Sequence, residues 1–165
     1  MAETIKSTAQ AQRKTIYDQR GDVFKAKLEQ ARMGARVIKA KKIPFEQNRQ
    51  GLIRWYVAED ASGLASDSFF VFVSEIHSHS GRHTHQGGVT IFVLQGKGYS
   101  MVDGVRYDWG PGDMIMLPIK SGGCDHQHFN LDSRPSRWLA LRSRPLRDVV
   151  GHFREQKEEH PDWKG

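Results

Sequence analysis

The segment HTHQGGVTIFVLQG (His83–Gly96), read with GDMIMLP (Gly112–Pro118) and HQHFN (His126–Asn130), decides the fold. His83 and His85 stand two apart, and a strand projects residues i and i+2 from one face. His126, His128 and Asn130 share that parity. If both runs are strands facing one interior, imidazoles from remote chain positions meet there. Neutral imidazole is a common ligand for Zn, Fe, Cu and Ni. A single buried histidine is more often a hydrogen-bonded core residue. Several together are costly without an ion, because every ring nitrogen needs a partner.

Outward from this segment, short β-rich runs cover Val37–Lys39, Leu52–Val57, Phe69–Ile76, Thr90–Leu94, Gly98–Val102, Val105–Tyr107, Asp113–Leu117, His126–Asn130 and Trp138–Leu141. Asp103-Gly104 between two of them is a type I′ hairpin signal. Nine short strands with no helix between them predict an all-β sandwich or barrel. Before residue 35 the period is helical. Asp22 is a candidate cap, Phe24, Leu28 and Ala31 recur at helical spacing, and Gly34 is a stop. Ile5, Ala9, Ile16 and Tyr17 give a weaker helical signal. Pro145 opens a last helix with Leu146, Val149, Val150 and Phe153 on one stripe. The tail EQKEEHPDWKG reads as polar and frayed. The organisation expected is a helical N-terminal extension over 1–35, a barrel over 36–144, and a C-terminal helix and tail over 145–165. The run TIFVL (Thr90–Leu94) is apolar on both faces, which predicts a cover from a terminal helix or from a second subunit in a homodimer.

The two segments, in this order and spacing, resemble the two signature motifs of the cupin superfamily. The first motif is H-x-H, a glutamate after three or four residues, then six residues and a glycine. The second is G-x5-P followed by H-x3-N. The resemblance spans about residues 70–143 and implies a jelly-roll β-barrel around a metal, with His83, His85 and His126 as its ligands. Counted back from Gly96, the glutamate position holds Val89, which cannot coordinate a metal. Gln86 or His128 is then a candidate fourth ligand, or the site has three histidines and open positions. Three neutral imidazoles leave a divalent ion its full +2 charge. That favours anionic ligands and transition metals over Mg or Ca. Three-histidine iron sites among cupin-like dioxygenases put Fe(II) first, with Zn, Ni, Cu or Co as alternatives.

The segment SGRHTH with VLQGKGYSMVDG most resembles gentisate-dioxygenase-like cupins, which implies a small anionic, hydroxylated aromatic substrate. Arg142 is a candidate carboxylate partner and Trp138 a stacking surface. Arg82, Met114 and Met116 are further pocket candidates, although a surface salt bridge is an equal reading for the arginines. His128 is the candidate proton-handling residue. His77 and His79 stand as partners for the ligands, as acid/base groups or as exposed side chains. Cys124 fits an inert thiol better than a nucleophile, since no activating base accompanies it. A metal-dependent dioxygenase is the leading reading; a non-catalytic binding cupin and a metal-assisted isomerase or lyase are the alternatives.

Composition excludes other classes. The chain has 165 residues, 38% hydrophobic and 27% charged, which suits one globular domain. No apolar run approaches the roughly 20 residues of a spanning helix, and the N-terminus lacks a secretory signal. One cysteine suits a reducing compartment, so a cytoplasmic protein is expected. Of 25 Lys and Arg, 13 lie in residues 1–54, where they read as a solvated helix face, so no nucleic-acid or membrane partner is expected.

Overall fold

A computed structural model describes residues 14–165. In chain order the elements are α1 (Ile16–Met33), a 3₁₀ turn (Ala40–Lys42), β1 (Glu46–Asn48), β2 (Gly51–Val57), β3 (Phe69–Ile76), β4 (Arg82–His85), β5 (Val89–Gln95), β6 (Gly98–Val102), β7 (Val105–Trp109), β8 (Met114–Leu117), β9 (Cys124–Asn130), β10 (Ser136–Ser143), α2 (Arg144–Val150) and β11 (Arg154–Glu158). The strands form two antiparallel sheets, β1-β2-β3-β10-β5-β8 and β11-β4-β9-β6-β7. The central eight strands, β3-β10-β5-β8 facing β4-β9-β6-β7, have jelly-roll order. Residues that alternate inward along them make the core: Ile76, Ile91, Val93, Val102, Ile115, Leu117, Cys124 and Ala140 are all buried. Each large aliphatic side chain removed from water contributes about 1.5–3 kcal/mol.

Local sequence explains the joints. Asp103 and Gly104 both adopt positive φ, 51° and 82°, as the β6–β7 hairpin requires. Gly87 and Gly88 carry the chain from β4 in one sheet to β5 in the other at φ 83° and 68°. A Cβ at Gly87 would lie 1.9 Å from the Pro118 carbonyl oxygen, so the crossing has room for no side chain there.

At the ends, sequence and structure differ. The first helix begins at Thr15, whose capping box with Asp18 satisfies the first turn, so Asp22 lies inside it. The Ile5 and Ala9 signal lies outside the described residues. Val37–Lys39 is not a strand; the chain runs there into the 3₁₀ turn. The last helix stops at Val150 because Gly151 turns to φ 80°, which leaves Phe153 beyond it. The tail is not frayed: Arg154–Glu158 pairs antiparallel with β4. Phe92, Leu94, Met114 and Met116 are exposed on the outer face of β5 and β8, which neither terminal helix shields. No helix among the described residues is long and apolar enough to cross a membrane.

Candidate metal centre

β4 and β9 pair in a register that sets His83 opposite His126 and His85 opposite Cys124. Paired residues of antiparallel strands project to one side, so the parity of H-x-H and the pairing together gather three imidazoles. The ring centroids of His83 and His126 are 4.2 Å apart, those of His85 and His126 4.8 Å, and those of His83 and His85 5.2 Å. One ligand nitrogen from each ring lies within 4.8 Å of the others. All three residues are buried and line a cavity of about 490 Å³ between the sheets.

Hydrogen bonding fixes the rings unequally. His126 Nδ1–H donates to the Cys124 carbonyl oxygen at 3.0 Å, so Nε2 keeps a free lone pair. His83 Nδ1 is buried with no protein partner, a nitrogen that an ion would satisfy. His85 Nδ1 accepts from the Gly87 amide at 2.9 Å, which puts the neutral ring's proton on Nε2. Ligation by His85 therefore asks for a half-turn of the ring or for displacement of that amide. Burial holds all three rings neutral. It pushes His83 well below the ordinary imidazole range, His85 to about 2 and His126 to about 4, with neighbouring imidazoles adding to the effect on His83 and His85. Neutral, buried, convergent imidazoles suit a transition-metal ion.

The rest of the cavity adds a polar and an aromatic wall. His128 is opposite Ser100 in the β6–β9 register, and its Nδ1 lies 2.7 Å from the Ser100 hydroxyl. That hydroxyl accepts from Trp109 Nε1–H at 3.0 Å. Its own proton is then free for His128 Nδ1, which leaves the His128 proton on Nε2. Burial pushes His128 down to about 3. Trp138 packs its ring 5.1 Å from that of His128 and lines the cavity with its Nε1–H unpartnered. Arg142, 8% exposed, enters from β10, and its Nε and Nη2 have no partner. Val89 lines the same wall, so no carboxylate joins the imidazoles there.

Three expected pocket residues, Arg82, Met114 and Met116, and the candidate fourth ligand Gln86 lie elsewhere. Arg82 has the opposite parity to His83 and pairs on the outside with Asp125 at 2.9 Å and Glu158 at 3.4 Å. Gln86 likewise alternates away from His85, and its side-chain oxygen accepts from the Phe153 amide at 3.2 Å. Met114 and Met116 point outward because Ile115 and Leu117 take the inner face of β8. His77 pairs with Glu75 and His79 bonds to Ser80 and Gln127, both away from the cavity lining. Cys124 is fully buried with its thiol pushed up to about 11, as an inert core residue would be. The residues that sequence reasoning missed are Arg154 and Gln156. They line the cavity from β11, in register with His85 and His83. The only available signal was alternation in REQKE, which polar edge strands share with loops.

The cupin domain family model matches residues 70–142. Residues 70–142 form a cupin domain. The chain is 32% identical over 74 residues to the 5-aminosalicylate 1,2-dioxygenase of a Comamonas species; the match covers 45% of this chain and 19% of that protein. The chain thus spans about a fifth of that relative's length. Among solved structures it resembles the polyketide cyclase RemF of Streptomyces resistomycificus, with a TM-score of 0.56, 17% identity, and coverage of 78% of this chain and 89% of that one. It also resembles the salicylate 1,2-dioxygenase of Pseudaminobacter salicylatoxidans, with a TM-score of 0.52, 18% identity, and coverage of 81% and 37%. At these identities the structural likeness speaks for the fold.

Proposed function

We propose that this cupin is a metal-dependent dioxygenase that acts on a small hydroxylated aromatic carboxylate, with Fe(II) held by His83, His85 and His126. The observation that carries the reading is a buried, unpartnered guanidinium, Arg142, lining the same cavity as three neutral imidazoles. A cation left unpaired in a cavity is stabilised when an anion enters beside it. The 32% relative, which acts on an aminosalicylate by its name, supports the same substrate class.

A bound Fe(II) supplies the chemistry of dioxygen and a Lewis-acid site for a phenolic oxygen. The chain's own groups supply the rest. Arg142 binds the carboxylate through its free Nε and Nη2 hydrogens, and Trp138 offers its ring face to the aromatic plane. His128, with its proton fixed on Nε2 by Ser100 and Trp109, donates a hydrogen bond from within the cavity. Ile53, Val89, Ile91 and Leu117 keep the inner wall dry. The protein works in the cytoplasm as a homodimer joined through the exposed Phe92, Leu94, Met114 and Met116 face. Sedimentation of wild type as a dimer and of Met116→Glu as a monomer checks the assembly.

The deciding measurement is oxygen uptake by protein reconstituted anaerobically with Fe(II), on addition of salicylate, 5-aminosalicylate or gentisate. Uptake that needs both iron and substrate is expected. Turnover with zinc in place of iron and no oxygen consumption would move the site to isomerase or lyase chemistry. Tight ligand retention with no turnover under any metal would make it a binding module.

A further inference from the structure

Arg142 is not the only unpaired cation facing this cavity. β11 pairs with β4 so that Arg154 is opposite His85 and Gln156 opposite His83, which directs both side chains to the face of the imidazoles. Arg154 lines the cavity, as Arg142 does from the opposing sheet. Neither arginine has an ion pair among the described residues, whereas Arg49, the other arginine of the lining, pairs with Glu159. Glu46 is the one carboxylate among the lining residues, and its side chain accepts from Asn48 Nδ2 at 2.9 Å. Arg142 is nine-tenths buried with two guanidinium nitrogens unpartnered, so one fixed positive charge is already desolvated on the inner wall. A second stands at the rim, where the tail strand closes over the ligand strand.

We propose that Arg142 and Arg154, one from each sheet, form a two-point clamp for a small ligand carrying two separated carboxylates. The assignment rests on the reading of this cavity as the ligand site and deepens it: among aromatic carboxylates that turn over, the preferred substrate is a dicarboxylate, with one carboxylate at the inner wall and the other at the mouth. Guanidinium forks match carboxylates in a planar, two-bond geometry, and a partly enclosed site screens the attraction less than water does. The mutual repulsion of two unpaired cations facing one space is relieved when both are neutralised, which a monocarboxylate cannot do. Burial, followed by the charges of Arg147 and Arg154, already pushes Arg142 below its ordinary value, the direction expected of a cation lacking its counter-ion.

Calorimetric titration of zinc-loaded and of metal-free protein with benzoate and with phthalate, isophthalate and terephthalate tests the clamp without turnover. At least one dicarboxylate is expected to bind tenfold or more tighter than benzoate in both preparations. Arg154→Gln should remove that advantage and leave benzoate within about twofold of wild type; Arg154→Lys should keep part of it. Arg142→Gln should weaken benzoate and dicarboxylates alike by tenfold or more, with Arg142→Met as a length-matched variant should the glutamine protein fail to fold. No dicarboxylate exceeding benzoate, or an advantage that survives Arg154→Gln, overturns the clamp. Failure to take up zinc, with the dicarboxylate preference intact, sinks the metal reading and leaves the clamp standing.

Discussion

At the scale of single residues, the centre depends on His126 more than on either partner. It is the one member of the triad from a second strand, and its Nδ1–H is already committed to a carbonyl. His126→Ala leaves two imidazoles on one strand, so bound metal should fall below about a tenth of the wild-type stoichiometry by elemental analysis, with the β fold retained. Val89 makes the complementary case. Its side chain lines the cavity at the position where related barrels carry a carboxylate. Val89→Glu should lower the charge of a loaded site and move metal preference toward manganese in a competition among equimolar ions. An unchanged metal ranking would mean that residue 89 does not reach the ion. The shared face of His83 and His85 was legible in the sequence because spacing two fixes parity on a strand, whereas the choice of His126 as their partner came from the resemblance to cupin motifs and not from spacing. Met114 and Met116 were not legible. The run MIML is apolar at every position, so alternation cannot say which pair faces inward, and packing against β5 assigns that place to Ile115 and Leu117.

Two strands were legible to the residue: β3 and β6 have the bounds that their sequence predicts. β11 was not, because Arg154–Glu158 contains no apolar residue and owes its conformation to pairing with β4. A strand of that kind is a tertiary fact with no local signature. The turn joining β4 to β5 is the opposite case, since Gly87-Gly88 is required by backbone geometry alone. Gly87→Ala adds a Cβ at positive φ against the Pro118 carbonyl, and should cost about 2 kcal/mol or more, read as a lower midpoint in urea. Gly21→Ala, in the open interior of α1, is the control. It should raise stability by up to about 1 kcal/mol or leave it unchanged.

For the molecule as a whole, burying the four cavity histidines in neutral form ties stability to pH. His83, His85, His126 and His128 all lie below the ordinary imidazole value of 6.5 when folded. The unfolded chain therefore takes up protons first as pH falls. Their stabilisation is complete above about pH 6.5 and declines below it, by up to about 1.4 kcal/mol per pH unit for each group. Urea unfolding of metal-free protein should show a midpoint that drops steadily from pH 7.5 to pH 5. A flat profile across that window would mean that these rings are hydrated in the native state. Loading the site should deepen the dependence, since protons and the ion compete for the same nitrogens.

Three of the four tryptophans, Trp55, Trp138 and Trp163, sit around one chamber. The chain consequently carries its own optical probe: whatever enters that chamber alters indole emission, and a paramagnetic ion quenches it, so occupancy can be followed in the unlabelled protein by fluorescence alone.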